Sequence, residues 1–314
     1  MNQLDALRYL AALARHRHFG RAAQACHITQ PALSNAIRAL EAHHGLALVR
    51  RGRQYLGLTP EGEAVLAHGH RLLHEAEALR QTVAALAGTP GGRLALAAVP
   101  SALPVAARFA AALQALHPGL EPELRSASSP EIEAGLEALS IDLALGYTGR
   151  AEVAQRRLDC CQQYQEHYFL LECDGAAGPL RFGAPLGWAE AAGRRLVLLT
   201  PDMHHRHLVD GAFAQAGVAA RSALQTDSVL ALQVAVQAGR GLAGVLPGAL
   251  VDGLRHQPGL LARPLVAPEL VTPIGFLSAP GAPPTRALQA ALDLAGSADW
   301  LAEARAHSGM LAPA

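Results

Sequence analysis

Residues 19–66 read FGRAAQACHITQPALSNAIRALEAHHGLALVRRGRQYLGLTPEGEAVL, and this stretch decides how the N-terminal part of the chain folds. Thr29 is suited to cap a helix, Pro31 is tolerated in a first helical turn, and Gly45 is suited to end a helix. We therefore predict a helix over residues 30–43, with a short helix and a turn before it.

The predicted helix has two different faces. Its apolar face must pack on the preceding helices, because four residues recur at helical spacing: Leu33, Ala36, Ile37 and Leu40. The other face carries polar side chains: Gln30, Ser34, Asn35 and Arg38. Gln and Asn can form paired hydrogen bonds to adenine edges, and recognition helices read bases with their N-terminal residues. An ordinary amphipathic helix with a solvated polar face shows the same pattern, so this helix alone leaves both interpretations open.

The residues after this helix predict a basic β-hairpin. Two strand-like runs, residues 48–50 and 55–58, surround the turn Arg51-Gly52-Arg53-Gln54. We expect Arg51 and Arg53 to reach phosphate or the minor groove, which adds affinity with little sequence information. An amphipathic first helix over residues 4–14 completes the pattern. The order of helices followed by a basic hairpin predicts a winged helix-turn-helix.

A long helix is predicted to follow the hairpin, because Thr59-Pro60-Glu61 has a cap, a proline and an acid in the order that a helix N-terminus favours. Small or apolar residues then step by four and three along one seam: Val65, Gly69, Leu72, Ala76, Leu79, Val83 and Leu86. Such a seam needs a partner helix, so we predict a homodimer through residues 60–88. A core helix of a larger domain is the alternative, but Thr89-Pro90-Gly91-Gly92 ends the helix in a linker.

The stretch quoted above closely resembles the N-terminal signature of LysR-type transcriptional regulators over nearly fifty positions. The shared motifs are Gln-Pro-Ala-Leu-Ser, Ile-x-x-Leu-Glu, an Arg-rich wing and Leu-Thr-Pro-Glu-Gly. Val49 departs from the pattern, since the family usually carries Phe there, and we expect slightly looser packing of the wing. The resemblance implies that operator DNA is contacted by Thr29, Gln30, Pro31, Ser34, Asn35, Arg38, Arg51 and Arg53. It also implies RNA polymerase as a partner and effector domains that pair again to give a homotetramer.

Predicted strands and helices alternate in the remaining residues, 89–314. Three strands separated by helices predict a parallel sheet with crossover helices: residues 93–99, 121–126 and 141–147. A second set begins with a strand over residues 168–172, and the chain returns through a strand over 271–277 and a final helix over 284–305. This α/β pattern predicts two subdomains with a double crossover and a cleft between them, as in periplasmic binding proteins. LysR-type effector domains have the same organisation.

The predicted fold class is therefore α/β, with three domains in order. The winged helix-turn-helix covers residues 1–59, the linker helix residues 60–88, and the effector domain residues 89–314. Within the effector domain, subdomain I spans about 93–160 and 268–306, and subdomain II spans about 161–267.

Ligands in such folds bind at strand ends beside helix N-termini. By that rule, and by resemblance to LysR-type effector clefts, we expect the effector to contact Ser101, Ala102, Ser126, Tyr147, Thr148, Thr200, Pro201, Met203 and His204. Hydroxyl groups and backbone N–H groups suit a small carboxylate or oxyanion. The alternative is that Ser101 and Thr200 only cap helices. Asp202 would repel a carboxylate, so a capping role fits it better.

Three histidines in Met203-His204-His205-Arg206-His207 raise the question of a metal site. Neighbouring histidines point apart on a helix and no acid or cysteine follows at ligand spacing, so a solvated or anion-facing cluster is favoured and no metal is expected. The segment PDMHHRHLVDGAF faintly resembles regulators of formate oxidation, which makes formate a hypothesis for the effector. No cysteine follows Cys173, which excludes a late pair of redox-sensing thiols.

Composition and motifs exclude other classes of protein. The first 88 residues carry ten arginines against six acidic residues, although the whole chain has no net charge, and a basic N-terminal part suits nucleic acid. No GxSxG, HExxH, P-loop or GxGxxG stands in a strand-turn-helix context, so we expect neither an enzyme nor a cofactor. A solute-binding protein would have the cleft but not the winged helix. With no signal peptide and no apolar span, a cytoplasmic protein with no membrane contact is expected.

If the polar face of the predicted helix reads bases, Gln30→Ala and Ser34→Ala each weaken specific operator binding by roughly 1–3 kcal/mol. Non-specific binding changes little, because the phosphate contacts remain. Arg53→Ala, the control, weakens both kinds of binding and flattens the salt dependence. A footprint in which Gln30→Ala keeps full operator preference would show that another element reads the bases.

Overall fold

A computed structural model describes residues 2–52, 55–86, 91–281 and 284–309. It contains two compact units, one of Met1–Gly92 with Glu137–Ser140 and one of Arg93–Leu136 with Ile141–Ala314. The predicted linker helix thus belongs to the N-terminal unit. Across the described ranges, no helix is both long enough and apolar enough to cross a membrane.

The N-terminal unit is a winged helix-turn-helix followed by a long helix, as the sequence predicts. Its elements are α1 (Gln3–His16), α2 (Phe19–Ala25), α3 (Gln30–His44), β1 (Val49–Arg51), β2 (Tyr55–Leu58) and α4 (Pro60–Leu86). The apolar face of α3 is fully buried against α1 and α2 through Leu33, Ile37 and Leu40. Val49 is buried in the same core, so the smaller side chain is accommodated there.

Side chains and one glycine fix the ends of the short helices. The His18 imidazole Nδ1 accepts the N–H groups of Gly20 and Arg21 at the start of α2. The Thr29 hydroxyl accepts the Ala32 N–H at the start of α3. Gly45 ends α3 with φ +67°, a conformation that glycine adopts without strain.

Glu41 and Thr59, two residues of the quoted stretch, fix the base of the wing. The Glu41 carboxylate accepts the N–H groups of Leu48 and Val49 at 3.0 and 3.2 Å, which fixes the start of β1 against α3. The Thr59 hydroxyl donates to the Ala47 carbonyl at 2.7 Å and accepts the Gly62 N–H at 2.9 Å. These bonds align α3, the wing and α4 with one another.

The seam of α4 has two parts. Its first part packs inside the chain, because Gly69 is buried against the Leu7 side chain and Val65 joins the winged-helix core. Its second part is open, since Leu79 and Leu86 are 66% and 81% exposed and Leu72 and Val83 are exposed as well. Only the second part of the predicted seam is therefore free for a partner.

The C-terminal unit contains two mixed sheets and their helices. Its elements in chain order are β3 (Gly92–Ala98), α5 (Leu103–Leu116), β4 (Leu120–Ser126), α6 (Ser129–Glu137), β5 (Leu143–Tyr147), α7 (Ala151–Gln155), β6 (Asp159–Cys173), β7 (Arg181–Phe182), β8 (Leu186–Gly187), α8 (Trp188–Ala191), β9 (Arg195–Leu199), α9 (His204–Gln215), β10 (Ser222–Thr226), α10 (Val229–Gln237), β11 (Leu242–Pro247), α11 (Gly248–Asp252), β12 (Leu260–Val266), β13 (Val271–Ser278), α12 (Arg286–Ala295) and α13 (Ala298–Ala306).

Strand β6 takes part in both sheets. Residues 159–167 pair with β13, beside which lie β5, β3 and β4, whereas residues 168–173 pair with β11 and β12. Pairs β3–β5, β9–β10 and β9–β11 are parallel, but β6 and β13 run antiparallel to their neighbours. The predicted parallel arrangement is present in the β3–β5 pair, and the antiparallel strands β6 and β13 make each sheet mixed.

Several predicted elements differ from those observed. The strand expected at residues 168–172 begins at Asp159, and the change of sheet after His167 places the subdomain boundary later than residue 160. The final helix is two helices, because Gly296 ends α12 and the Ser297 hydroxyl caps α13. Strands β10 and β12 were not predicted. β10 is largely exposed and polar, and the apolar residues of β12 are interrupted by Arg263 and Pro264.

Gly62→Ala is expected to destabilise the winged helix, because an added Cβ would lie 2.0 Å from the Leu48 carbonyl oxygen. Overpacking against backbone costs roughly 1–3 kcal/mol or more, and thermal unfolding measures it. Gly211→Ala is the matched control: it also lies within a helix, but its Cβ would meet nothing within 4 Å. We expect that control to be neutral or more stable by up to about 1 kcal/mol. Equal stability of the two variants would contradict the close approach of α4 and Leu48.

Candidate functional site

The candidate DNA-contacting face lies along α3. Thr29, Gln30, Pro31, Asn35 and Arg38 are exposed, and Ser34 is half-buried. The structure therefore leaves the polar end of this helix open to solvent while the opposite face fills the core. Arg51 ends β1. Arg53 lies outside the described residues, as does the side chain of Arg51.

A cavity in the C-terminal unit lies where the two sheets approach each other. Its volume is about 30 Å³. Residues of subdomain I form one wall: Val99, Pro100, Ser101, Ser128, Ser129 and Tyr147. Residues of subdomain II form the other: Leu199, Met203, His204, His205, Val229, Leu246 and Leu250. A space of this size, lined mostly by apolar atoms of residues that also carry a few hydroxyl and imidazole groups, suits a ligand of only a few non-hydrogen atoms.

Four predicted residues line this cavity: Ser101, Tyr147, Met203 and His204. Ser101 Oγ and Tyr147 Oη form a hydrogen bond of 3.0 Å, and both side chains are buried. Sequence analysis located Ser101 and Tyr147 by the rule that ligands bind at strand ends. The rule works here because β3 and β5 are parallel neighbours, so their C-terminal ends meet at one edge of the sheet.

Five predicted residues do not line it. Ser126 ends β4 with an exposed side chain, and Ala102 is buried within the turn before α5. The Thr148 hydroxyl points to Gln162 and to the Pro273 carbonyl on the neighbouring strands. Thr200 and Pro201 form the turn before α9, in which the Thr200 carbonyl accepts the Met203 N–H. That turn brings Met203 and the histidines to the cavity instead.

Sequence reasoning missed Ser128, Ser129 and His205. Ser128 and Glu131 form a capping box at the start of α6, with Ser128 N–H and hydroxyl bound to the Glu131 carboxylate at 2.9 and 2.8 Å. This S-x-x-E spacing was available in the sequence and would have placed Ser129 at a helix N-terminus. His205 carried no comparable signal, since adjacent histidines on a helix were expected to point apart.

Burial and ion pairs set the charges around the cavity. Arg150 Nη1 donates to His204 Nδ1 at 2.9 Å, and its other nitrogens bind Glu133 and Glu152 at 2.7 and 3.1 Å. Burial, with the Arg150 charge beside it, lowers the pKa of His204 to about 4. The His204 ring also lies edge-on to Tyr147, with 4.7 Å between ring centres. His204 is thus a neutral group at pH 7.

His205 is fully buried, and neither ring nitrogen has a hydrogen-bond partner among the described residues. Burial lowers the pKa of His205 to about 4, with smaller effects from His204 and Arg206. Its ring packs on Tyr168 at 5.6 Å between centres. The Ser129 hydroxyl on the other wall is also buried without a partner in the part of the chain that is described. Such groups favour a ligand that can complete their hydrogen bonds.

The histidine cluster does not form a metal site with the other residues that the structure describes. Within the ranges that the structure describes, no group of three or more His, Cys, Asp or Glu residues is placed to hold one. His204 and His205 line the cavity, whereas His207 is exposed. The cluster is therefore not uniformly solvated, contrary to one part of the expectation.

Comparison with known proteins identifies the family. A model of the "LysR substrate binding domain" matches residues 87–299, and one of the "Bacterial regulatory helix-turn-helix protein, lysR family" matches residues 4–63. The chain belongs to the LysR family. It is a DNA-binding transcriptional regulator with an effector-binding domain.

Curated relatives agree with this LysR assignment. OxyR of Escherichia coli K12, a "DNA-binding transcriptional dual regulator", is 30% identical over 291 residues, which cover 90% of this chain and 91% of OxyR. A "SDS degradation transcriptional activation protein" of a Pseudomonas species is 44% identical over 132 residues, 40% of this chain and 41% of that protein. The relatives are regulators of transcription rather than enzymes.

Solved LysR-type structures share the fold. An OxyR variant from Pseudomonas aeruginosa has a TM-score of 0.66 at 22% identity and covers 99% of this chain and 98% of its own. CbnR complexed with its target DNA has a TM-score of 0.64 at 22% identity and covers 96% of this chain and 99% of its own. At these identities the likeness concerns the fold alone.

Proposed function

We propose that this LysR-type regulator responds to a small carboxylate or oxyanion bound in the cavity between its two α/β subdomains. The observation that carries the proposal is that one cavity is lined from both walls by residues with polar side chains: Ser101, Ser129 and Tyr147 on one, and His204 and His205 on the other. His204 and His205 are the first two residues of α9, whose N-terminus has no side-chain cap among the described residues, and helix N-termini favour negative charge.

We also propose which residues contact DNA. The exposed polar end of α3 supports base contacts by Gln30, Ser34 and Asn35, with Thr29, Pro31 and Arg38 beside them. Arg51 and Arg53 are proposed to contact the backbone or minor groove from the wing. CbnR was solved on its target DNA with the same fold, which supports a similar use of this unit.

Ligand binding acts on transcription by shifting the balance between two arrangements of the subdomains. This requires the ligand to bind one arrangement better than the other. The paired winged helices then change their spacing on DNA, and RNA polymerase recruitment changes with it. We propose that the assembly is a homotetramer built from linker-helix dimers and that it acts in the cytoplasm, with no enzymatic activity and no cofactor.

The identity of the effector is a separate hypothesis. Formate is a candidate effector because the segment around the start of α9 faintly resembles regulators of formate oxidation. None of the relatives quoted above is described as such a regulator. Other curated relatives are described as hydrogen peroxide-inducible genes activators. The four cysteines of this chain are unbonded, lie at residue 173 or before, and do not line the cavity, so we do not extend a thiol-based response to it.

If the cavity holds the effector, Ser101→Ala and Ser129→Ala reduce effector affinity about five- to thirtyfold, the loss of one buried hydrogen bond each. Ser126→Ala is the control, because Ser126 ends a neighbouring strand but is exposed. Titration of the full chain with formate, acetate and sulfate measures the affinities. Equal affinities in all three variants would place the effector elsewhere.

If α4 forms the dimer, Leu72→Asp with Leu79→Asp separates it, because the seam would bury two unpaired charges. Light scattering is expected to show a lower mass, and gel shift a weaker operator affinity. Glu75→Ala is the control, since Glu75 is exposed on the same helix. An unchanged mass in the double variant would mean that the open part of the seam is not the interface.

A further inference from the structure

The cavity has a mostly apolar surface, and no free positive charge lines it among the described residues. Among the described residues that line it there is no lysine or arginine. The two nearby guanidinium groups are already paired: Arg150 with Glu133 and Glu152, and Arg206 with Asp210 at 2.8 Å. Arg206 also donates to the Leu199 carbonyl at 2.7 Å.

An anion that entered this apolar cavity would therefore lose its hydration without gaining a counter-charge. Burying an unpaired charge is among the largest costs in a protein interior. The cost is avoided when a proton enters with the anion. His205 is the group suited to receive that proton, because it lines the cavity and its two buried ring nitrogens have no partner in the described part of the chain.

The other ionisable groups near His205 do not carry a positive charge that an anion could use. Glu166 of β6 is fully buried, and burial raises its pKa to about 8, so at pH 7 it holds its proton. Its carboxyl group lies 3.4 Å from the Tyr168 hydroxyl, and burial raises the pKa values of Tyr147, Tyr164 and Tyr168 well above 10. His204 is neutral and already accepts from Arg150.

We propose that the effector binds together with one proton: His205 becomes an imidazolium that donates to the anion, and the Ser129 hydroxyl on the opposite wall donates a second hydrogen bond. The proton comes from solvent, and no covalent bond changes. This inference rests on the proposed function and adds to it that His205 determines specificity for a monoanion small enough for the cavity.

Proton uptake gives the binding constant a definite pH dependence. Free His205 has a low pKa and is neutral at pH 7, and an anion in contact with it raises that pKa in the complex. The complex therefore holds more protons than the free protein, so affinity is greatest at low pH and falls as pH rises. Kd for a strong-acid monoanion increases about tenfold per pH unit until pH passes the pKa of His205 in the complex.

The test is titration calorimetry of the full chain with formate, acetate and propionate between about pH 6 and pH 7.5, where these acids are ionised. Each titration is repeated in buffers of different ionisation enthalpy, which gives the number of protons taken up. We expect about one proton per anion in the wild type and a Kd that rises about tenfold per pH unit.

Two variants test which residue takes up the proton when the anion binds. His205→Gln keeps a donor but cannot become charged, and it is expected to take up no proton and to bind at least about tenfold more weakly at pH 6. Glu166→Gln removes the other buried group that titrates near neutrality and is expected to retain the uptake.

Three outcomes overturn the inference. Binding by wild type with no proton uptake contradicts it and leaves the anionic effector standing. Uptake that survives His205→Gln and disappears in Glu166→Gln places the proton on the carboxyl group instead. Failure of all three anions to bind at millimolar concentration contradicts both this inference and the proposed effector class.

Discussion

Strand β6 is the connection on which the effector unit depends. Its first nine residues complete one sheet and its last six complete the other, so the two subdomains share a single continuous backbone. The chain returns through the residues just before β13. Because the sheets are joined in this way, the ends of β3 and β5 face the turn that begins α9, and the cavity exists between them.

Because β6 runs through the interior of the effector unit, some of its polar side chains are buried, which costs free energy unless they form hydrogen bonds. Gln163 and Glu166 of β6 are buried although they are polar, and Gln163 offsets that cost by accepting from the Trp300 indole at 2.6 Å and donating to the Ala295 carbonyl at 3.1 Å. His205 has no such compensation among the described residues. Tyr164, Glu166 and Thr200 also carry a buried oxygen without a partner in the described part of the chain, but they do not line the cavity. His205 and Ser129 do line it, so a ligand there could satisfy these two residues.

The sequence predicted the winged helix well because its signals are local. Caps, a stop glycine and an apolar face at helical spacing each act within a few residues, as Thr29, Gly45 and Leu33 illustrate. Strand β6 was predicted only from Tyr168 onward because its polar first half shows no apolar alternation. The cavity was predicted in part: strand ends located Ser101 and Tyr147, but the orientation of His205 depends on how α9 packs against Tyr168. No local pattern encodes that packing.

The central claim is that a small anion and a proton meet at His205 in this cavity. The most direct measurement is the long-range proton–nitrogen spectrum of the histidine rings in the full chain, with the His205 signals assigned by their loss in His205→Gln. The account predicts a neutral ring at pH 7 in the free protein and two protonated nitrogens when formate or acetate saturates the site. A His205 ring that stays neutral in the saturated complex would contradict it.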